Sequence, residues 1–84
     1  MIIKSLSSNS VFDTKNIDVI SFQLKADKNN KPIKRNGNYL IDKTKINIMF
    51  ASGQSITCIS PDEKSGQEMF DILSNAMKGI VFNK

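Results

Sequence analysis

The fold is decided by residues 45–79, which read KINIMFASGQSITCISPDEKSGQEMFDILSNAMKG. In the first half of this stretch apolar residues alternate with polar ones, which is the period of a half-buried strand. In the second half they recur every three or four residues, which is the period of a helix with one buried stripe. The stretch therefore predicts a β-hairpin that runs directly into an amphipathic helix.

The pattern predicts a helix over residues 61–78. Ser60 is the expected N-cap, Pro61 suits the first helical position, and Glu63 can complete a capping box with Ser60. Gly79 supplies a residue that tolerates a left-handed conformation, which is typical of a helix C-terminus.

One face of this helix is predicted to be buried. Gly66 lies on the same face one turn before the apolar stripe, so we expect the helix backbone to approach the sheet closely there. The stripe contains Met69, Phe70, Leu73, Ala76, Met77 and Ile80.

The hairpin register follows from matching the apolar faces of its strands. A three-residue loop at 51–53 opposes Ile48 to Ile56 and Ile46 to Cys58, with Gly53 in a left-handed conformation. A two-residue turn would shift the register by one residue and split the apolar set. We therefore predict the three-residue loop and expect the helix to pack on this apolar face.

Further strands are predicted upstream, at residues 2–6, 20–26, 31–35 and 38–42. Pro32 restricts its strand to an edge or a strand start. Residues 27–30 and the dipeptide Asn36-Gly37 have the composition of turns. The predicted fold class is α+β: an antiparallel meander of five or six strands, open or curled into a half-barrel, packed on one face by a single C-terminal α-helix. We expect residues 1–84 to form one domain.

Positive charge is concentrated in the middle of the chain. The whole chain carries a formal net charge of +4, and residues 25–45 contain seven basic residues against two acidic ones. One interpretation is a binding footprint for nucleic-acid phosphates, with Arg35 and Tyr39 available for stacking. The other is a solvated edge whose lysines discourage sheet-to-sheet association. Lysine outnumbers arginine eleven to one, which weakens the nucleic-acid interpretation because specific phosphate recognition favours arginine.

A second apolar set points away from the helix-facing side of the predicted sheet: Val19, Met49, Thr57 and Ile59. We expect the N-terminal segment to fold across this face and bury it. The alternative is an exposed patch for a partner or a second copy. Exposed strand edges offer a further route to association, by strand addition.

The sequence offers few catalytic groups. It has no histidine, and its single cysteine, Cys58, alternates with apolar residues on the face predicted to be buried. The acidic pair Asp62-Glu63 is explained by helix capping. We therefore expect a protein that is not an enzyme and has no metal site and no cofactor.

These observations favour a small non-enzymatic module that acts as a regulator or inhibitor by occupying the surface of a protein partner. The alternatives are a nucleic-acid-binding domain and a structural protein that self-assembles through sheet edges, so a homo-oligomer stays open. No membrane contact is expected, the lone cysteine favours the cytoplasm, and the excess of Lys, Asn and Ile is typical of a low-GC bacterium or its phage. The expected partner-binding residues are Lys28, Lys31, Lys34, Arg35, Asn36 and Tyr39.

Overall fold

The computed structural model describes residues 1–77 and has an α+β fold with antiparallel strands and a C-terminal helix. This confirms the coarse fold class. Residues 78–84, which include the predicted helix end at Lys78 and Gly79 and the stripe residue Ile80, lie outside the described part. The elements in chain order are β1 (Ile2–Ser5), β2 (Ser10–Asp13), a 3-10 turn (Thr14–Asn16), β3 (Ile17–Leu24), β4 (Lys34–Arg35), β5 (Asn38–Tyr39), β6 (Ile41–Phe50), β7 (Ser55–Ile59) and α1 (Glu63–Met77).

The prediction of one five- or six-stranded meander is wrong. The described strands form three small sheets: β3-β6-β7, β1-β2 and β4-β5. In the region of the strands predicted at 31–35 and 38–42, the structure has only the two-residue strands β4 and β5. Strand β6 begins at Ile41 and continues without a break to Phe50. The long strand β6 therefore joins the end of the strand predicted at 38–42 to the first strand of the predicted hairpin.

A bulge in β6 explains part of this difference. Phe22 pairs with Ile46, but the next residue, Gln23, pairs with Asp42, so three residues of β6 have no counterpart on β3. The Asp42 carboxylate holds the bulge by accepting hydrogen bonds from the Thr44 amide at 3.0 Å and the Thr44 hydroxyl at 2.6 Å. Such a bulge bends its strand.

The β6–β7 hairpin forms as predicted. Ile48 pairs with Ile56 and Ile46 with Cys58. The Phe50 amide donates to the Gln54 carbonyl at 2.8 Å across the three-residue loop, and Gly53 adopts a φ of 92°. The apolar faces of the two strands thus fix the register.

The helix begins two residues later than predicted, and Ser60 is not its cap. The Ser60 amide extends the β6–β7 ladder by donating to the Thr44 carbonyl at 2.7 Å, so the chain is still paired there. The Asp62 carboxylate accepts a hydrogen bond from the Ser65 amide at 2.7 Å, and Asp62 is therefore the residue that caps α1. That hydrogen bond lowers the pKa of the Asp62 carboxyl. Pro61 precedes the helix instead of taking its first position, and Glu63 takes that first position instead of the third, so the capping box with Ser60 does not form.

The core lies between α1 and the sheet β3-β6-β7, as expected. Ile46, Ile48 and Leu73 are fully buried, and Cys58 is buried beside them. The Phe22 and Phe70 rings stack with their centroids 4.4 Å apart. Other partly buried apolar residues packed against this core are Ile3, Phe12, Ile17, Ile20, Phe50, Ile56 and Met69.

Gly66 makes the close approach that the sequence predicted. It is buried, and a methyl group at its Cα would overlap the Lys43 carbonyl oxygen and come within 2.8 Å of the carbonyl carbon. Lys43 lies in the β6 bulge. The bulge and the glycine therefore fit together and set the distance between the helix and the sheet.

The prediction that the N-terminal segment covers the outer face of the sheet is wrong. Val19, Met49 and Ile59 are 49%, 48% and 56% exposed. The β1–β2 hairpin instead packs Ile3 and Phe12 against the helix-facing core, where the Phe12 ring meets that of Phe50 edge-on at 5.3 Å. The outer face remains open among the described residues.

Candidate interaction surface

The six residues predicted to bind a partner lie on one protruding segment, residues 25–40, which we call the basic hairpin. All six are exposed: Lys28, Lys31, Lys34, Arg35, Asn36 and Tyr39. Within this segment only Ile33 and Leu40 are partly buried. The structure thus presents the predicted residues together at the surface.

The first turn of the basic hairpin is held by Asp27. Its carboxylate accepts hydrogen bonds from the amides of Asn29 and Lys31, at 2.8 and 3.1 Å. Its backbone amide donates to the Lys31 carbonyl at 2.9 Å, and its carbonyl accepts from the Asn30 amide at 3.0 Å. Asn30 adopts a φ of 62°, a left-handed conformation that asparagine tolerates well. This network fixes Lys28 and Lys31 on an ordered turn.

The second turn has the conformation that its sequence predicts. Asn36 and Gly37 both have positive φ angles, 52° and 81°, as a type I′ turn requires. Lys34 therefore pairs with Tyr39 across the strands, and its ammonium group lies 4.8 Å from the centroid of the Tyr39 ring. This is a cation–π contact on an exposed tyrosine.

The base of the basic hairpin is closed by three backbone hydrogen bonds that sequence reasoning missed. The Lys25 amide donates to the Leu40 carbonyl and the Leu40 amide donates to the Ile33 carbonyl, both at 2.9 Å. The Ile33 amide donates to the Lys25 carbonyl at 3.0 Å. The two strands of the hairpin and the end of β3 are thereby tied together at one point. Local composition gives no signal for this closure, because it joins three separate parts of the chain.

The charge of the basic hairpin is largely unneutralised. Lys25 lies 4.0 Å from Glu63, and Lys45, just outside the hairpin, lies 3.9 Å from Asp42. Among residues 1–77, no carboxylate lies within 4.0 Å of Lys28, Lys31, Lys34 or Arg35. Within the described residues, these four exposed cations therefore have no carboxylate partner.

Asp42 marks the boundary between the basic hairpin and the sheet. The Thr44 hydroxyl that donates to its carboxylate lowers the pKa of Asp42; the Thr44 amide and the nearby Lys45 and Lys25 act in the same direction, and burial opposes them. The carboxylate thus holds the β6 bulge and pairs with Lys45, and it lies more than 4.0 Å from Lys28, Lys31, Lys34 and Arg35.

Two further kinds of functional feature concern the described residues: metal-binding clusters and membrane-spanning helices. No group of three or more Cys, Asp or Glu side chains within residues 1–77 is arranged to hold a metal ion. In the same part of the chain, no helix has the length and apolar character needed to cross a bilayer. Comparison with known proteins finds no matching family, no matching curated protein and no matching solved structure.

Proposed function

We propose that this protein is a small non-enzymatic binding module that regulates or inhibits a protein partner by covering an acidic patch on its surface with the basic hairpin. The observation that carries the proposal is the set of four exposed cations, Lys28, Lys31, Lys34 and Arg35, that have no carboxylate partner among residues 1–77. Complementary charge accelerates association and gives specificity.

The construction of the basic hairpin supports a recognition role. Its two turns are ordered by the Asp27 hydrogen bonds and by the positive φ angles of Asn36 and Gly37. A preformed surface loses less conformational entropy on binding than a disordered one. Tyr39, 52% exposed, adds a rigid aromatic group of the kind that is enriched in protein interfaces.

The proposal that the protein is not an enzyme rests on its small number of catalytic side chains. The sequence has no histidine, and its one thiol, Cys58, is buried in the core. A reduced thiol suits the cytoplasm, which we include in the proposal together with the low-GC bacterial or phage origin that the composition suggests.

Nucleic-acid binding through the same residues is the second candidate, favoured by the unpaired cations beside Tyr39. Against it, the Lys34 ammonium group covers one face of the Tyr39 ring, so a base could stack there only by displacing it. Arg35 is also the chain's only arginine, the side chain best suited to bidentate recognition of phosphates and guanine.

Affinity capture with matched charge variants tests the first candidate. The full chain is used as bait in lysate of the source cell, beside the variant Lys31→Glu/Lys34→Glu/Arg35→Glu and the control Lys4→Glu/Lys64→Glu/Lys84→Glu. Both variants change the net charge equally, so non-specific electrostatic binding falls in both. We expect a protein that is retained by the wild type and the control but lost with the hairpin variant. Equal capture by all three chains would remove the basic hairpin from consideration.

Titration against single- and double-stranded oligonucleotides at two salt concentrations tests the second candidate. Neutralisation of several phosphates requires that log K fall steeply with log[salt]. A steep slope that the hairpin variant lowers would favour nucleic acid, whereas no binding at low salt would eliminate it.

A further inference from the structure

The sheet β3-β6-β7 ends in two edge strands, β3 and β7. Hydrogen-bonded residues alternate along an antiparallel ladder, and the even-numbered residues of β6 face β7, as the bond from the Phe50 amide to the Gln54 carbonyl shows. The odd-numbered residues of β6 therefore face β3, where they meet Val19 and Ser21. The backbone groups of Val19, Ser21 and, by the same alternation, Gln23 are thus directed into the sheet.

The outer edge of β3 presents three residues, Ile20, Phe22 and Leu24, whose backbone N–H and C=O groups point away from β6. In the described part of the chain no strand pairs with this edge. The stretch from Val19 to Leu24 carries no charged side chain, although charges are a common means of blocking an exposed strand edge. The edge of β7 is less open, because its Ile59 amide already donates to a side-chain hydroxyl at 2.9 Å. The β3 edge is therefore the better site for pairing with another strand.

We infer that two copies of this protein associate through their β3 edges, antiparallel about a two-fold axis at Phe22. In this register Ile20 of one copy lies opposite Leu24 of the other, and the two copies of Phe22 lie opposite each other. The outward-facing groups of all three residues are then hydrogen-bonded in both copies, and two three-stranded sheets become one sheet of six strands. This association goes beyond the proposed function, because it does not use the four unpaired cations of the basic hairpin.

An aromatic pair at the centre of the edge supports a second copy as the occupant. The Phe22 and Phe70 rings stack with their centroids 4.4 Å apart, and both side chains are only partly buried. Because the two-fold axis lies at Phe22, it brings the aromatic pairs of both copies together. Removal of their remaining exposed surface from water favours association. An unrelated extended segment would supply backbone partners but no matching pair of rings.

The charges at the two ends of β3 are complementary in the same arrangement. Asp18 lies near the start of β3, Lys25 directly follows its last residue, and both are exposed. In the register centred on Phe22, Asp18 of one copy lies opposite Ala26 of the other, beside its Lys25. Unlike charges therefore meet at both ends of the interface, whereas a parallel arrangement would bring like charges together. Lys25 also lies 4.0 Å from Glu63 of its own copy, but a pair this exposed contributes little.

Sedimentation equilibrium of the full chain with two charge-reversal variants tests this inference at low ionic strength. We expect the wild type to form dimers below about 1 mM. Asp18→Lys and Lys25→Asp each place like charges at both ends of the interface, so each variant alone should dimerise at least about fivefold more weakly. In a mixture of the two variants unlike charges face each other again, so mixed dimers should form with about the affinity of the wild type.

The matched controls reverse charges on the exposed side of α1. Glu68→Lys and Lys64→Asp change the net charge by the same amounts as the two edge variants, so we expect each to dimerise as the wild type does, apart from a general charge effect. A wild-type chain that stays monomeric at about 1 mM would overturn the inference. Edge variants that dimerise as well as their controls, or that do not recover on mixing, would also overturn it.

Amide hydrogen exchange of the wild type at several protein concentrations needs no substitution. Exchange of the Ile20, Phe22 and Leu24 amides should slow at least about tenfold as dimers form, whereas the Ser21 and Gln23 amides, which face β6, should be protected at every concentration. Dimers in which the three edge amides still exchange rapidly would overturn the inference. Protection of these amides that does not depend on concentration would mean that another part of the same chain covers the edge, and would also overturn it. Concentration-dependent protection of the β7 edge instead would place the contact there and contradict the inference.

Discussion

Two neighbouring regions of the molecule differ in how their side chains are used. The first consists of β6, β7 and α1, and the second is the basic hairpin. In the first, Ile46, Ile48 and Leu73 are completely removed from solvent. In the second, only Ile33 and Leu40 are partly buried, and shape is held by turn chemistry and a few backbone hydrogen bonds. Burial of apolar surface is the dominant favourable contribution to folding. Stability is therefore expected to reside in the first region, which leaves the side chains of the second free for recognition.

The largest expected effect is that of Gly66→Ala. Helix propensity alone would make this change stabilising by about 1 kcal/mol. The added methyl group, however, overlaps the Lys43 carbonyl, a backbone group that cannot rotate away. We expect a net loss of about 4 kcal/mol, measured by urea unfolding. Asn75→Ala, at an exposed helical position, is the control and should change stability little; a stabilised Gly66→Ala variant would refute the close approach.

Leu73→Ala and Ile72→Ala form a pair of adjacent truncations with unequal consequences. Leu73 is fully buried, so its truncation should leave a cavity and cost about 3 kcal/mol. Ile72 is 47% exposed, and its truncation should cost less than about 1 kcal/mol. Urea midpoints at equal m-values measure both, and equal losses would mean that the helix is rotated relative to this structure.

Substitution of the helix cap gives a smaller effect. Asp62→Ala removes the carboxylate that accepts the Ser65 amide, so it should lower the thermal midpoint more than Ser60→Ala does. The Ser60 backbone amide, which donates to Thr44, is retained in Ser60→Ala. A larger decrease in the thermal midpoint for Ser60→Ala than for Asp62→Ala would mean that Ser60 caps the helix, as the sequence predicted.

Acid should destabilise the protein through three aspartates. Hydrogen bonds lower the pKa of Asp42, Asp13 and Asp62 in the folded state: the Thr44 hydroxyl at Asp42, the Lys15 amide at Asp13 and the Ser65 amide at Asp62. A carboxyl whose pKa is lower in the folded than in the unfolded state contributes stability that is complete above its unfolded pKa of about 3.9. That stability is lost as the pH falls through the folded value. Urea midpoints should therefore fall below about pH 4, and Asp42→Asn should make this decrease smaller; a flat profile would contradict these contacts.

The smallest expected effect on stability belongs to the basic hairpin. The variant Lys31→Glu/Lys34→Glu/Arg35→Glu changes exposed side chains with no carboxylate partner among residues 1–77, so its urea midpoint should stay within about 0.5 kcal/mol of the wild type. A larger loss would show that these residues support the fold.

What the sequence predicted well was local. The 51–53 loop followed from the need to place Ile48 opposite Ile56, and the Asn36-Gly37 turn from residues that tolerate positive φ. Gly66 was predicted from its position on the buried stripe. In the two turns nearby residues determine the geometry, and at Gly66 the period of the helix alone indicates the buried face.

The features that the sequence did not predict correctly depend on contacts between residues that are distant in the chain. Ser60 has the composition of a cap, but the Thr44 carbonyl, sixteen positions earlier, recruits its amide into the sheet. The Asp42–Thr44 bulge that bends β6 has no pattern of apolar residues to reveal it. The six candidate binding residues were predicted from charge and turn composition, which are themselves local, and their role stays a prediction.

Amide hydrogen exchange of the full chain at neutral pH tests the central claim most directly, because it reports local stability residue by residue. Amides of Ile46, Ile48 and Cys58 should exchange only on global unfolding, and those of Arg35 and Asn38 at least about a hundredfold faster. Equal protection of both groups would mean that the basic hairpin is part of the cooperative core, and the separation of stability from recognition would then be wrong.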